Sequence, residues 1–222
     1  MNLPVCIGLA ILWLIVSPPK NIAASSLISL VEENLAITLN TSTKVSPNMQ
    51  VQVDFKYSGE TKGVAGRTLC FPEDDRTRYR NFRAWIEKDQ ALKVYRESAP
   101  NGFLYNFQVA KYPARYCVKL QKNKKVSRVS AAYEATLPAY YPIGSKGETS
   151  LAFVAHYILI TGSTWQGPCG ALNVFVHTGE ILCHKISTTE KSIHGVCTKN
   201  NLWEYRSKNI KLDQDLELLI PR

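Results

Sequence analysis

The sequence predicts an all-β fold, an antiparallel β-sandwich, and three observations support this. Apolar and polar residues alternate with a period of two in several segments. No segment has a long apolar stripe at helical spacing. Turn sequences containing glycine or proline separate the alternating segments, at a spacing that is typical of antiparallel sandwiches and barrels. Whether the sandwich is one unit of two packed β-layers or two subdomains is left open by these patterns.

The clearest alternation lies at Val51, Val53, Phe55 and Tyr57, whose polar neighbours predict a half-buried strand. Residues 151–160 are almost wholly apolar, as expected for a strand in the sandwich interior or at the centre of a sheet. The same period of two predicts three further strands, at Phe103, Tyr105, Phe107 and Val109, at Tyr116, Val118 and Leu120, and at Leu216, Leu218 and Ile220.

Two segments predict hairpins. The apolar residues between positions 80 and 97 fit either one face of a helix or a hairpin that turns at residues 88–90. Because the neighbouring segments are predicted strands, the hairpin is favoured. Alternation before and after residues 177–180 predicts a second hairpin, with strands through Leu172–Val174–Val176 and Ile181–Cys183–Lys185. No repeat or linker requires two domains, although a subdivision near Pro142 is conceivable.

The N-terminus has the features of a secretory signal peptide. Residues 5–16 are apolar or small, a run too short to span a bilayer, which needs about 20 apolar residues. Ser17, Pro18 and Pro19 end any helix there, and small residues follow around Ala24 and Ser25. We therefore expect residues 1–24 to be cleaved and residues 25–222 to form one secreted or periplasmic β-rich domain without a transmembrane segment. An uncleaved N-terminal anchor is the alternative.

Cysteine usage agrees with an oxidising compartment. The chain has 6 cysteines, and removal of the signal peptide takes away Cys6, so at least one thiol of the mature chain stays unpaired. Our first expected bridge is Cys183–Cys197, which closes a short loop, and our second is Cys70–Cys117. Cys169 is then the odd cysteine. It follows a turn and is a candidate reactive thiol, with a buried or bridged cysteine as the alternative.

The chain is basic, with 27 Lys and Arg against 18 Asp and Glu, a formal net charge of +9. Its 45% hydrophobic and 20% charged residues exclude a disordered, collagen-like or multi-pass membrane protein. One basic cluster surrounds an expected hairpin tip at residues 121–123 and comprises Lys119, Lys122, Lys124, Lys125 and Arg128. It predicts a surface for an anionic envelope component or another protein rather than for nucleic acid. A solvated turn is the alternative.

Catalytic and metal-binding signatures are missing from the sequence. The 4 histidines show none of the usual zinc spacings, and no Gly-x-Ser-x-Gly motif is present. We therefore predict no catalytic residues, no metal and no cofactor. A non-enzymatic binding or envelope-associated factor is the favoured function. A hydrolase with a Cys/His centre and a structural subunit that assembles through edge strands are the alternatives.

The most distinctive stretch runs from an apolar strand at residues 156–160 into Thr161-Gly162 and then Trp165-Gln166-Gly167-Pro168-Cys169-Gly170. It resembles a secreted bacterial family known as domain of unknown function 4424, in which an apolar strand leads into Thr-Gly and Trp-x-Gly-Pro-x-Gly. Residues 209–220 are similar to the closing strand of that family, and residues 53–75 match it more weakly. Cys169 departs from the family, which has an aliphatic residue there. The resemblance implies a periplasmic or secreted β-rich protein and no catalytic residues.

Trp165 has two interpretations. Gly162 and Gly167 allow backbone angles that other residues avoid, and Pro168 stiffens the turn, so Trp165 fits a structural corner that covers the end of the core. The alternative is an exposed anchor for a partner or a glycan. On this second interpretation Trp165 joins the basic cluster as a predicted binding residue.

Overall fold

The structure is a computed structural model of the 222-residue chain. It describes residues 29–40, 47–57, 68–73, 77–87, 89–98, 104–105, 108–109, 112–120, 126–140, 152–158, 168–189, 193–198, 201–211 and 215–221. The predicted signal peptide, Trp165, Lys122, Lys124 and Lys125 lie outside these residues.

The described residues form β-strands joined by turns, with one short 3-10 turn at Cys183–Lys185 and no α-helix. The strands are β1 (Leu30–Asn40), β2 (Asn48–Tyr57), β3 (Thr68–Glu73), β4 (Tyr79–Ile86), β5 (Gln90–Ala91), β6 (Val94–Ser98), β7 (Leu104–Tyr105), β8 (Gln108–Val109), β9 (Ala114–Lys119), β10 (Arg128–Thr136), β11 (Ala139–Tyr140), β12 (Ala152–Tyr157), β13 (Cys169–His177), β14 (Ser187–Thr188), β15 (Val196–Thr198), β16 (Leu202–Ile210) and β17 (Leu216–Pro221). The predicted all-β class is confirmed.

One layer of the sandwich is an eight-stranded sheet in the order β15-β16-β13-β1-β2-β10-β4-β5. Its described strand pairs are antiparallel except for β1 and β13, which run parallel over Glu32–Thr38 and Ala171–His177. Strands from both sides of Pro142 belong to this sheet, because β13, β15 and β16 continue it beyond β1.

The core lies on one face of the eight-stranded sheet, as the alternation predicts. In β1 and β2, Leu35, Ile37, Met49 and Val53 are fully buried, while their neighbours along each strand are partly exposed. Burial of such apolar side chains contributes about 25 cal/mol per Å² removed from water. The buried residues of all the larger sheets form a single cluster, so both layers share one core.

The other layer consists of a four-stranded sheet, β11-β12-β17-β14, and a three-stranded sheet, β3-β9-β6. Aromatic rings join the three-stranded sheet to the large sheet: Phe71 lies 5.1 Å from Phe82, which lies 4.8 Å from Tyr116 in a stacked arrangement. On the four-stranded sheet, the Tyr157 hydroxyl donates a hydrogen bond of 2.9 Å to the Glu33 carboxylate of the large sheet. The predicted interior position of β12 and the predicted last strand, β17, are confirmed.

Two disulfides are present. Cys70 and Cys117 are directly opposite each other on β3 and β9, and Cys183 of the 3-10 turn is bridged to Cys197 of β15. These are the two pairs that the sequence favours, and Cys169 is the free cysteine, which is buried.

Two strand predictions are wrong. Residues 181–185 do not return along β13, because β1 and β16 already occupy both sides of that strand. The Thr178 hydroxyl instead donates to the Ile181 carbonyl at 2.6 Å, and the chain turns into the 3-10 turn. The alternating run at residues 103–109 is not one strand: β7 and β8 pair with each other, with Tyr105 opposite Gln108. The hairpin expected in residues 80–97 is confirmed by the pairing of β4 with β5.

The expected basic hairpin tip at residues 121–123 lies outside the described residues, and the strands on either side of it can be compared. Lys119 ends β9, where it is paired with Thr68 in the three-stranded sheet. Arg128 begins β10, where it is paired with Lys56 in the eight-stranded sheet. β9 and β10 therefore do not pair with each other, and Lys119 and Arg128 belong to different layers.

Among the described residues, no helix has the length and apolar character needed to cross a membrane.

Candidate functional site: the outer face of the large sheet

The face of the eight-stranded sheet that points away from the core carries a groove. Most of its residues come from the outward-facing positions of strands that bury the alternate residues in the core, and the core residues Val51, Ile86 and Tyr133 also contribute to its walls. We call it the outer groove. One half is lined by Gln52, Asp54, Lys56, Trp85, Glu87, Asp89, Ser127, Arg128 and Ser130, and the other by Ala36, Thr38, Gln50, Gln52, Asn81, Arg83, Ala132, Glu134 and His177.

The register of the sheet explains where the depression lies. Ala36 of β1 is opposite Gln52 of β2, and Gln52 is opposite Ala132 of β10. Two of these three adjacent residues are therefore alanines, whose side chain is a single methyl group. The two halves of the groove have volumes of roughly 520 and 540 Å³, and the Gln52 side chain lines both of them. Each volume is in the range of ligand sites in proteins.

Aromatic side chains lie on β4 and β13, on the two sides of this row. Trp85 of β4 lines the groove, with the Arg83 guanidinium 5.9 Å from its ring centroid. Phe175 of β13 is directly opposite Ala36, and the Arg206 guanidinium lies 5.3 Å from its ring centroid. Cation–π contacts of this kind hold a ring in one orientation and place N–H donors beside it.

Polar groups fill the next row of the sheet, where several are fixed by hydrogen bonds. The side-chain amide of Asn173 donates to the side-chain oxygen of Asn34 at 2.9 Å, and the Ser130 hydroxyl donates to the Asp54 carboxylate. Each amide, carboxylate and hydroxyl offers further donors or acceptors beyond these bonds. The face can therefore present an ordered array of neutral and charged hydrogen-bonding groups to a ligand.

The lining of the outer groove is not basic, in contrast to the whole chain. It has three basic residues against four acidic ones: Lys56, Arg83 and Arg128 against Asp54, Glu87, Asp89 and Glu134. The formal net charge of the chain is +9. The excess positive charge therefore lies elsewhere, and the groove does not select for an anion by net charge.

Of the described binding residues that the sequence predicts, Arg128 lines the outer groove and Lys119 lies in the other layer. The alternation of residues in the sequence could not reveal the rest of the groove. The residues that line it look like ordinary solvent-facing positions, and they belong to separate strands. Trp85 lies in the segment for which the sequence predicts a hairpin, and Ala36 and Ala132 carry no functional signal of their own. The signal is the register that aligns them.

Chemistry at the free cysteine is disfavoured by its surroundings. The Cys169 Sγ donates to the Ala171 carbonyl at 3.1 Å, and burial is the main cause that raises the pKa of the thiol to about 11. A thiol in this state is a poor nucleophile at neutral pH. The buried His156 lies on another strand, where its Nε2 is 3.2 Å from the Asp215 carboxylate.

The acidic and histidine side chains near the ends of strands have structural partners. The buried Glu73 accepts hydrogen bonds from the Tyr79 amide at 2.8 Å and from the Arg96 guanidinium at 2.8 Å. Arg96 of β6 thus compensates this buried carboxylate. Asp215 accepts a 2.7 Å hydrogen bond from the Tyr112 hydroxyl as well as contacting His156, so it joins β9, β12 and β17.

The comparisons with known proteins identify the fold. No protein-family model and no curated protein matches the sequence. The chain is similar to the crystal structure of a "putative nutrient binding protein" from Legionella pneumophila, with a TM-score of 0.56 and 14% identity, over 86% of this chain and 66% of that protein. At this identity the likeness shows a shared fold.

A second similarity, to yeast LTA4 hydrolase in complex with bestatin, has a TM-score of 0.48 and 7% identity. It covers 91% of this chain and 31% of that enzyme. A likeness at this level carries no indication of function. The resemblance of residues 156–170 to domain of unknown function 4424 stays a prediction.

Proposed function

We propose that this chain is an extracytoplasmic binding protein that holds a solute in the outer groove. The observation that carries the proposal is the alignment of Ala36, Gln52 and Ala132 across three strands, because the short alanine side chains leave a depression beside Gln52 in one half of the outer groove. The polar groups and the Trp85 ring beside this row supply the fixed, directional contacts that ligand sites use.

Two further findings support the proposal. Disulfides such as Cys70–Cys117 and Cys183–Cys197 form and persist outside the reducing cytosol, which fits a secreted or periplasmic protein. The similar Legionella pneumophila structure is described as a nutrient binding protein, which fits a binding role for this fold.

The test is a thermal-shift and calorimetric screen of the purified chain against sugars, amino acids, short peptides, nucleosides and inorganic anions. Any solute that binds should bind at least tenfold more weakly to Gln52→Ala and to Ala36→Arg, which remove a central polar group and fill the depression. Lys208→Ala is the matched control, because Lys208 is exposed on the same sheet and does not line the groove. A solute that binds all four proteins equally would place the site elsewhere and refute the proposal.

The net charge of +9 favours a second candidate, weak association with an anionic envelope surface through the basic cluster. Lys119 and Arg128 are the described ends of this cluster, and both are exposed. Binding to vesicles that contain anionic lipid should exceed binding to zwitterionic vesicles and should fall steeply as salt is raised. Lys119→Ala should weaken it without affecting solute binding in the outer groove. Equal binding to both vesicle types at low salt would eliminate this candidate.

A further inference from the structure

We propose that the solute of the outer groove is a neutral oligosaccharide that lies across the strands, an inference that rests on the proposed binding function. Three features of the site lead to this class of ligand: the direction and length of the depression, the aromatic ring on each side, and the balance of charge in between.

The direction follows from the register. Ala36, Gln52 and Ala132 lie on three neighbouring strands, so the floor runs perpendicular to the strands rather than along them. A ligand that follows this floor crosses the sheet. Peptides that bind to sheets by strand addition run parallel to the strands at an exposed edge, and the outer groove lies on a face.

The length follows from the same rows. The row that contains Gln52 extends from Phe175 on β13 to Arg83 on β4, and Trp85 follows Arg83 by two positions on the same face. Four strand spacings separate β13 from β4 in the sheet order. At about 4.8 Å per spacing this is about 19 Å, the length of roughly four linked pyranose rings.

The ends have the chemistry of sugar contacts. Pyranose rings expose flat C–H faces that pack on aromatic side chains, and Trp and Tyr are suited to such half-polar contacts. Trp85 and Phe175 are both only partly buried, and a guanidinium lies over each ring, that of Arg83 over Trp85 and that of Arg206 over Phe175. Trp85 lines the outer groove, and Phe175 lies beyond its lining in the same row as Ala36. A pyranose ring would therefore pack on the aromatic face that the guanidinium leaves uncovered, and the guanidinium N–H groups are donors for its hydroxyls at the ring edge.

The middle of the groove favours a neutral ligand. The exposed amides of Gln50 and Gln52 can each donate and accept, as sugar hydroxyls also do. The three basic residues of the lining are opposed by four acidic ones, so a polyanion would meet as much repulsion as attraction. This distinguishes the outer groove from the basic cluster, where net charge would select the partner.

The experiment begins with the full mature chain on an array of neutral linear glycans. Calorimetry then follows the best glycan as a series of one to six units. Affinity should rise with length to about four units and then level off. Trp85→Ala and Phe175→Ala should each weaken binding of the four-unit glycan about tenfold and should shorten the length at which affinity levels off. Trp85→Phe keeps a ring and should lose less, and Lys208→Ala should change nothing.

The outcomes separate this inference from the proposed function. If no glycan binds but another solute does, and Gln52→Ala weakens that solute, the saccharide class is wrong while the binding site stands. If a glycan binds without dependence on length, the ligand does not span the groove and the inference fails. If no solute of any class binds, both the inference and the proposed function fail. Circular dichroism of each variant excludes loss of fold as the cause of weak binding.

Discussion

Glu33 is a carboxylic acid placed in the core of the sandwich, and its replacement tests how the two layers meet. It occupies a core-facing position of β1 and is 2% exposed. Its Oε1 accepts a 2.9 Å hydrogen bond from the Tyr157 hydroxyl of β12. Burial raises the pKa of Glu33 from 4.5 to about 7, and the Tyr157 hydrogen bond lowers it in part. The perturbation we consider is Glu33→Gln, which keeps the shape and an acceptor oxygen but has no charge.

The direction of the effect follows from proton binding. Between pH 4.5 and 7 the folded chain holds a proton on Glu33 that the unfolded chain has released. Stability from this group is therefore fully present below pH 4.5 and is lost as pH rises through about 7. Each unit of difference between the two pKa values corresponds to 1.36 kcal/mol, so the pH-dependent contribution of Glu33 to the free energy of unfolding is about 3 kcal/mol. Glu33→Gln should abolish this part, and its stability relative to wild type should increase with pH.

The assay is urea denaturation at pH 4.5, 6 and 7.5, with the free energy of unfolding compared between wild type and variant at each pH. Subtraction cancels the other titrating groups. Glu32→Gln is the control, because Glu32 lies on the opposite face of the same strand and has Lys56 Nζ 4.0 Å away. Tyr157→Phe removes a hydrogen bond to the carboxylate and should move the transition to higher pH. A wild-type-minus-variant difference that is constant from pH 4.5 to 7.5 would refute the reasoning.

Three other predictions concern stability and reactivity. Replacing Cys70 and Cys117 together by Ala should cost about 4 kcal/mol, because this bridge closes 47 residues, and urea denaturation without reductant measures the loss. Gly170→Ala should destabilise the fold by about 1–3 kcal/mol, since the new Cβ would lie 2.4 Å from the Val31 carbonyl oxygen; a melting temperature equal to wild type would contradict this contact. Cys169, buried and with its pKa raised to about 11, should react with iodoacetamide at pH 8 only when urea unfolds the chain, as mass spectrometry of alkylated protein would show.

Period-two alternation identifies strands whose core-facing residues are large and whose outer residues are polar, as in β2. It misses β1, because Glu33 occupies a core-facing position and breaks the apolar period. It also misses β10, where Ala131 and Ala135 face the core as small side chains that give little contrast with their neighbours. Both segments form strands although their sequences lack a clear alternation, because the neighbouring strands and the opposite layer bury their core-facing side chains.

The disulfides could be anticipated from sequence but the groove could not. Cys183 and Cys197 close a short loop, and this constraint is visible in the chain itself. The outer groove depends instead on which residues of different strands are opposite one another, for example Gln52 of β2 and Ala132 of β10. Register is set by tertiary pairing, so no single segment carries the signal.

The parallel pairing of β1 with β13 places Phe175 and Trp85 on one sheet. Without it Phe175 would lie on a separate sheet from Trp85, because β1 is the strand that connects β13 to β2. This pairing begins beside Gly170, where the chain of β13 comes so close to the Val31 carbonyl that a Cβ atom would meet it at 2.4 Å. Gly170→Ala should therefore weaken ligand binding as well as stability, since displacement of β13 moves Phe175 relative to Ala36. An alanine variant that is destabilised but binds the ligand with wild-type affinity would contradict this link between the position of β13 and the site.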